Sequence, residues 1–257
     1  MSTFKLTLAY DGTDFVGWQR QADGVSIQGL VEEALALLDA RPVAVTGAGR
    51  TDAGVHALGQ VASFTLSRDD IDAATVVNAL NARLPPTVRA LEACAAPPRF
   101  HARYAAKSKT YRYRIWNGTV MNPFERRYAW HVTSALDPDA MAAAAATLEG
   151  THDFAVFQSG GGDVPSTVRT VTSSRIYSTT KAAKDTKALI EYEISGDGFL
   201  RHMVRAIVGT LVDIGRGRWP PDAIVGMLAS GDRGAAGRTA PPEGLFLVRV
   251  EYGDYNV

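Results

Sequence analysis

The chain has 257 residues, 46% of them hydrophobic and 21% charged, enough to bury a substantial core and long for one ordinary domain. Lys and Arg number 27 against 27 Asp and Glu, and Cys94 is the one cysteine among five histidines that show no His-x-x-x-His pairing. That excludes an internal disulfide and argues against a zinc site, so no metal is expected. With no basic-then-apolar leader and no apolar run near the roughly 20 residues that cross a bilayer, a cytoplasmic protein without a membrane partner is expected.

FKLTLAYDG alternates Phe4, Leu6 and Leu8 with Lys5 and Thr7, the period-two pattern of a strand stopping at Asp11-Gly12. After the loop TDFVGWQRQADG, Ser26 is placed to cap a helix to about Ala40, with Ile27, Leu30, Val31, Ala34, Leu35 and Leu38 on one face and Pro42 ending it. PVAVTGA and GQVASFTL are expected as two strands joined by a tight glycine-rich turn. A second amphipathic helix, with Ile71, Val76, Val77, Leu80 and Leu84, stops before Pro85-Pro86, and VRALEACA follows as a strand. The junction between two halves is placed after Pro97-Pro98, giving domains 1–104 and 105–257.

In the second half, KTYRYRIW is a strand with Tyr111, Tyr113 and Ile115 on one face and Thr110, Arg112 and Arg114 on the other. Asp137-Pro138 opens an alanine-rich helix to about Leu148, which Gly150 stops. VRTVTSSRIYS and KALIEYEIS are strands joined by a polar turn rich in lysine and threonine. Residues 199–214 are expected as a helix with Leu200, Val204, Ile207, Val208 and Leu211 inward; a short helix follows Pro220-Pro221, and LFLVRVEY is the last strand. Strands and helices come in runs without strict alternation, which favours an α+β fold over a doubly wound parallel one.

The candidate chemistry centres on GRTDAGVHALGQ, residues 49–60. It is not a dinucleotide fingerprint, because Asp52 stands where the last glycine is needed, and it lacks the Gly-Lys-Ser/Thr of a phosphate loop. On spacing alone it is equally a plain hairpin turn, with Asp52 bonded to its own backbone and Arg50 in a surface ion pair. The chemical reading is an aspartate on a stiff turn, with glycines that let a substrate approach and Arg50 favouring the nucleophilic anion. Residues 93–124 contain no acid but collect Arg99, Arg103, Lys107, Lys109, Arg112 and Arg114 beside Phe100, Tyr104, Tyr111 and Tyr113. That is either a solvated face or a groove that tracks a nucleic-acid backbone. Of Tyr111 and Tyr113, one packs in the core and the other is a candidate to stack on a base. Arg201 and Arg205, four apart, are expected on one helix face.

Five blocks then carry a resemblance along almost the whole chain: YDGTDFVGWQ at 10–19, GAGRTDAGVHALGQVASF at 47–64, RFHARYAAKSKTYRYRI at 99–115, FLRHMVRAIVGTLVDIGRG at 199–217 and APPEGLFL at 240–247. In these the chain resembles the tRNA pseudouridine synthase A family. The resemblance implies two similar α+β domains with largely antiparallel sheets meeting around a central cleft, a homodimer, and uridines 38 to 40 of the tRNA anticodon arm as targets. By position it implies Asp52 as the essential catalytic aspartate, Arg50 pairing with it and filling the place of the displaced base, and Tyr111 on the target uracil. Leu245 would pack on that base and Arg205 would lie at the same cleft, with no cofactor required. The arginines and lysines 99, 103, 107, 109, 112 and 201 are the expected RNA contacts. Arg238 and Glu243 stand before the last strand where the family pattern leads one to expect less charge. A non-catalytic tRNA-binding protein, and a hydrolase using Asp52 with His56, are the rival readings.

Overall fold

A computed structural model describes residues 1–160, 164–178 and 187–253, the side chains of 187 and 188 excepted. In chain order its elements are β1 (Ser2–Tyr10), α1 (Ile27–Asp39), β2 (Thr46–Gly47), β3 (His56–Leu66), α2 (Ala73–Asn81), β4 (Val88–Ala96) and β5 (Ala106–Gly118). They continue as β6 (Trp130–Val132), α3 (Pro138–Ala146), β7 (Gly150–Asp153), β8 (Val168–Ser178), β9 (Lys187–Gly196), α4 (Met203–Gly215), α5 (Ala223–Ser230) and β10 (Leu245–Tyr252). The chain forms two compact units, residues 1–107 with 246–257, and residues 108–245. The fold is α+β with largely antiparallel pairing, as the order of strands and helices leads one to expect.

In the first unit the strand order is β4-β1-β3-β10, with β2 also on β3; β1 pairs antiparallel with β3 and β4, and β10 runs parallel to β3. The inward residues of β1, Phe4, Leu6 and Leu8, are buried, and Phe4 lies opposite Phe64 with ring centroids 5.6 Å apart. Ser26 caps α1 by accepting from the Gly29 N–H at 3.2 Å. The helix ends where Ala40 turns left-handed (φ 56), before Pro42. Its last residue, Asp39, is tied to the end of β3, accepting from the Ser67 N–H at 2.9 Å and the Ser67 hydroxyl at 2.8 Å. Burial works to raise this carboxyl, but the bonds from Ser67, Arg41 and Arg68 outweigh it and hold its pKa at about 2.

One expectation in this unit needs correction. Residues 42–45 are not strand; β2 is only Thr46–Gly47 and pairs with Ala62 and Ser63 near the far end of β3. Val43 and Val45 are buried side chains of an irregular segment; β1 runs along one edge of β3, and on the edge that β2 shares, the early residues His56 and Ala57 pair with β10 instead. The Asp52 segment is therefore a broad loop rather than a tight hairpin turn.

In the second unit the order is β5-β9-β8-β7, all antiparallel, with β6 parallel to β5. Asp137 caps α3, accepting from the N–H groups of Asp139 and Ala140 at 3.0 Å. Every residue of α4 except Arg205 is buried, so it is a core helix rather than a one-faced amphipathic one. The helix also starts later than expected. His202 is left-handed (φ 60), which breaks the helical path, and Arg201 lies in the turn before Met203 rather than on a face shared with Arg205. The polar turn expected between β8 and β9 lies outside the described residues.

Candidate active site

The loop carrying Asp52 leaves β2 at Gly47 and re-enters the sheet at His56. Its base is closed by the Ala48 N–H donating to the Val61 carbonyl at 2.7 Å. Its tip is closed by the Val55 N–H donating to the Asp52 carbonyl at 3.1 Å, with Gly54 at φ 77 supplying the left-handed step. Between these points the loop is gripped from both ends of the YDGTDFVGW segment. The Trp18 N–H donates to the Thr51 carbonyl at 3.0 Å. Gly17, at φ 106, lies so close that a Cβ there would sit 2.6 Å from the same carbonyl. The Tyr10 hydroxyl bonds to Thr51 Oγ1 at 2.9 Å. Gln60, fully buried, donates from Nε2 to the Gly49 carbonyl at 2.9 Å and to the Tyr10 oxygen at 3.3 Å, which leaves the tyrosine proton for Thr51.

Burial pushes the Tyr10 hydroxyl up to about 12, with the bonds to Thr51 and Gln60 working against that rise. The group is therefore a neutral hydrogen-bonding strut. Above this buried layer Asp52 is half-buried and Arg50 is exposed. Tyr10 and Gln60 lie inside the blocks that carry the resemblance, but neither is among the candidate residues named from the sequence. The available signal is a glutamine in a largely apolar stretch of a central strand, which must find partners when buried.

His56 is not available as a base. It is 1% exposed, its ring stacks on Phe246 at 4.7 Å, and its Nδ1 accepts from the Gly12 N–H at 3.0 Å. Asp11 Oδ1 lies 3.2 Å from the same nitrogen but is already bonded by the Thr13 N–H and hydroxyl. Nδ1 is thus engaged by both the Gly12 amide and the Asp11 carboxylate. This burial and these contacts argue against a hydrolase pairing Asp52 with His56.

In the second unit, Tyr113 is the core tyrosine. It is fully buried, donates to the Pro241 carbonyl at 2.7 Å, and has its hydroxyl pushed well up by burial and then by the Glu243 charge. Tyr111, on the same face of β5, retains 8% exposure and meets Phe199 edge-on at 5.1 Å. Leu245 is buried at the end of the 239–245 segment. Arg205 holds that segment in a two-way clasp, with its Nε donating to the Ala240 carbonyl at 2.7 Å and the Ala240 N–H donating to the Arg205 carbonyl at 3.0 Å. Arg238 places its guanidinium 4.7 Å from the centre of the Trp130 ring, a cation–π contact that accounts for its charge there. Arg201 is exposed and donates to the Gly160 carbonyl at 3.2 Å.

The basic residues divide into two groups. Arg99, Arg103 and Lys107 are exposed and Lys109 is half-buried. Arg112 pairs with Glu193 at 2.9 Å, and Arg114 with Glu125 at 3.0 Å and Glu191 at 3.3 Å. Glu193 and Glu191 stand directly opposite these arginines in the β5–β9 register. A cavity of about 580 Å³ lined by Asp137, Ala140 and residues 214–221 holds none of these candidates, and its Arg216 and Arg218 both pair with Asp213. Among the described residues, no group of three or more His, Cys, Asp or Glu is placed to hold a metal, and no helix is long and apolar enough to cross a membrane.

The chain also matches known proteins along most of its length. The profile of the family described as tRNA pseudouridine synthase matches residues 7–105 and 144–253. The chain is similar to proteins named tRNA pseudouridine synthase A. That of Moorella thermoacetica is 48% identical over 254 residues, covering 98% of this chain and 100% of the other. That of Geotalea uraniireducens is 45% identical over 252 residues, with 98% and 100% covered. That of Syntrophotalea carbinolica is 44% identical over 252 residues, with 98% and 97% covered.

Proposed function

The chain belongs to the tRNA pseudouridine synthase family, and from that premise we propose that it isomerises uridine to pseudouridine in the anticodon arm of tRNA, at positions 38, 39 and 40, with Asp52 as the catalytic residue. The observation that carries this reading is a half-buried carboxylate on a loop pinned through Thr51, Gly49 and Ala48 to buried partners. Such a loop holds the residue in place while keeping it half-exposed on the side an incoming nucleotide would approach.

The reaction breaks the bond from uracil N1 to the ribose, turns the base and rejoins it through C5. The proton lost from C5 balances the one gained at N1, so nothing is oxidised and no cofactor is consumed. Asp52 supplies the group that attacks the ribose carbon or C6 of the ring, or removes a ribose proton. Tyr111 stacks on the uracil and relays the C5 proton. Leu245 packs on the base and Arg205 holds the 239–245 segment that presents it. Extruding the nucleotide from its stack costs a few kcal/mol, and Arg50, planar and permanently charged, pairs with Asp52 and fills the vacated place. Phosphate contacts fall to Arg99, Arg103, Lys107, Lys109 and Arg201, which keep exposed or half-exposed cationic groups. Arg112 contributes there only by leaving Glu193.

Asp52→Asn keeps the shape and removes the charge. It is expected to retain tRNA binding and to lose tritium release from C5-labelled uridine by orders of magnitude. Turnover close to wild type would remove Asp52 from its role, while a wild-type protein that binds tRNA and releases no label would be a binding protein only. Sites of modification are read by mapping pseudouridine in the treated tRNA. The homodimer implied by the family predicts a solution mass near twice 27.5 kDa, and a monomer at working concentration would refute it.

A further inference from the structure

Residues 97–105, between β4 and β5, contain a ring stack for which the reaction has no use. Phe100 and Ala102 are buried in a small apolar cluster with Ala48 and Val61, the pair that closes the base of the Asp52 loop. Ala102 is fixed on both sides: its N–H donates to Ser63 Oγ at 3.1 Å, and its carbonyl accepts from the Tyr252 hydroxyl at 2.8 Å. His101, next in line, accepts at Nδ1 from the N–H groups of Arg103 and Tyr104 at 3.2 and 3.3 Å. Its ring stacks on Tyr104 with centroids 4.2 Å apart and planes 29° from parallel. Tyr104 nonetheless remains 78% exposed.

A large ring held in place but left in water gives up side-chain freedom without hiding its surface, an arrangement that folding alone does not reward. Its surroundings indicate what would cover it. Arg99, Arg103 and Lys107 are exposed, Arg103 places its guanidinium 5.8 Å from the Tyr104 centroid, and residues 93–124 contain no acid. An open aromatic face among cations suits an unstacked base with its flanking phosphates, the recognition mode of single-stranded nucleic acid.

We propose that Tyr104, backed by His101, is a stacking platform for an unpaired nucleobase of the tRNA other than the target uridine, with Arg99 and Arg103 on the neighbouring phosphates. The platform rests on the reading of the chain as a tRNA-modifying enzyme and adds to it a binding residue that takes no part in the chemistry. Because Phe100 and Ala102 share a cluster with the base of the Asp52 loop, a base held there sets the register of the RNA strand on this unit.

The test uses the full chain and an unmodified tRNA transcript labelled with tritium at uridine C5. Release of label by the wild type tests the isomerase activity itself, and its absence would overturn that activity and the platform with it. Given an active wild type, Tyr104→Ala is expected to raise KM and weaken tRNA binding about 5- to 150-fold, the loss of one base–aromatic stack, with kcat little changed. Tyr104→Phe is expected to match wild type and Tyr104→Leu to match the alanine variant. An unchanged KM in Tyr104→Ala overturns the platform alone, and so does a phenylalanine variant as impaired as alanine, or a loss confined to kcat. Should Tyr104→Ala melt early, the contrast of phenylalanine with leucine decides the matter in the same way.

Discussion

Tyr10 is buried, and its hydroxyl joins Thr51 and Gln60 beneath the Asp52 loop. Replacing it with phenylalanine leaves two buried polar groups short of a partner, an expected loss of about 1–3 kcal/mol by denaturant unfolding, with a fall in turnover larger than the fall in tRNA affinity. Full activity in Tyr10→Phe would mean that the strut does not position Asp52. The same residue makes stability depend on alkaline pH. Its folded pKa of about 12 lies above the ordinary 10.0, so the folded state binds the proton more tightly. The contribution is complete below about pH 10 and disappears as pH rises through 12. Tyr113 and Tyr192 are shifted in the same direction. Unfolding free energy should therefore fall from pH 10 upward, and less steeply in Tyr10→Phe; identical slopes would contradict the assignment.

At the scale of elements, Asp39 joins the end of α1 to the end of β3. Its folded pKa of about 2 lies below the ordinary 3.8, so its stabilisation is present above about pH 4 and is lost as pH falls through 2. Asp39→Asn should be less stable at neutral pH and show a shallower decline between pH 4 and pH 2; an unaltered acid limb would refute this. Local pattern makes most elements legible. The strand of Phe4, Leu6 and Leu8, the caps at Ser26 and Asp137, and the bounds of β8 and β10 all follow from periodicity and end signals. Long-range partners decide what is not legible. β6 and β7 are three and four residues long and exist as strands because β5 and β8 pair with them. α4 begins at Met203 because His202 adopts a left-handed backbone, which its composition does not announce. In the site, Asp52 is visible from its glycines, whereas Tyr10 and Gln60 become part of it only once β1 and β3 pair. The acid-free stretch 93–124 reads as uniformly cationic, but Glu191 and Glu193 arrive from β9 to pair with Arg114 and Arg112.

At the scale of the molecule, that division of charges bears on how RNA binding responds to salt. Arg103 is exposed, and its replacement by alanine should lower the slope of log affinity against log salt by about 0.7–0.9, one phosphate's share. Arg112→Ala should leave the slope unchanged and lose only the about 0–1 kcal/mol of a part-exposed ion pair in stability. Equal slope changes in the two variants would show that Arg112 abandons Glu193 for RNA. The return of β10 to lie beside β3 bears instead on how the protein is made. The ribosome delivers residues 1–107 first, yet the early end of β3, beyond the reach of β2, lacks its second neighbour until Phe246 and Leu247 emerge to sit beside His56 and Ala57. Throughout translation of the intervening residues, the strand that follows the Asp52 loop presents unpaired amides. A nascent chain stalled before residue 246 should be a magnet for chaperones, and supplying the missing strand as a separate peptide should quiet it.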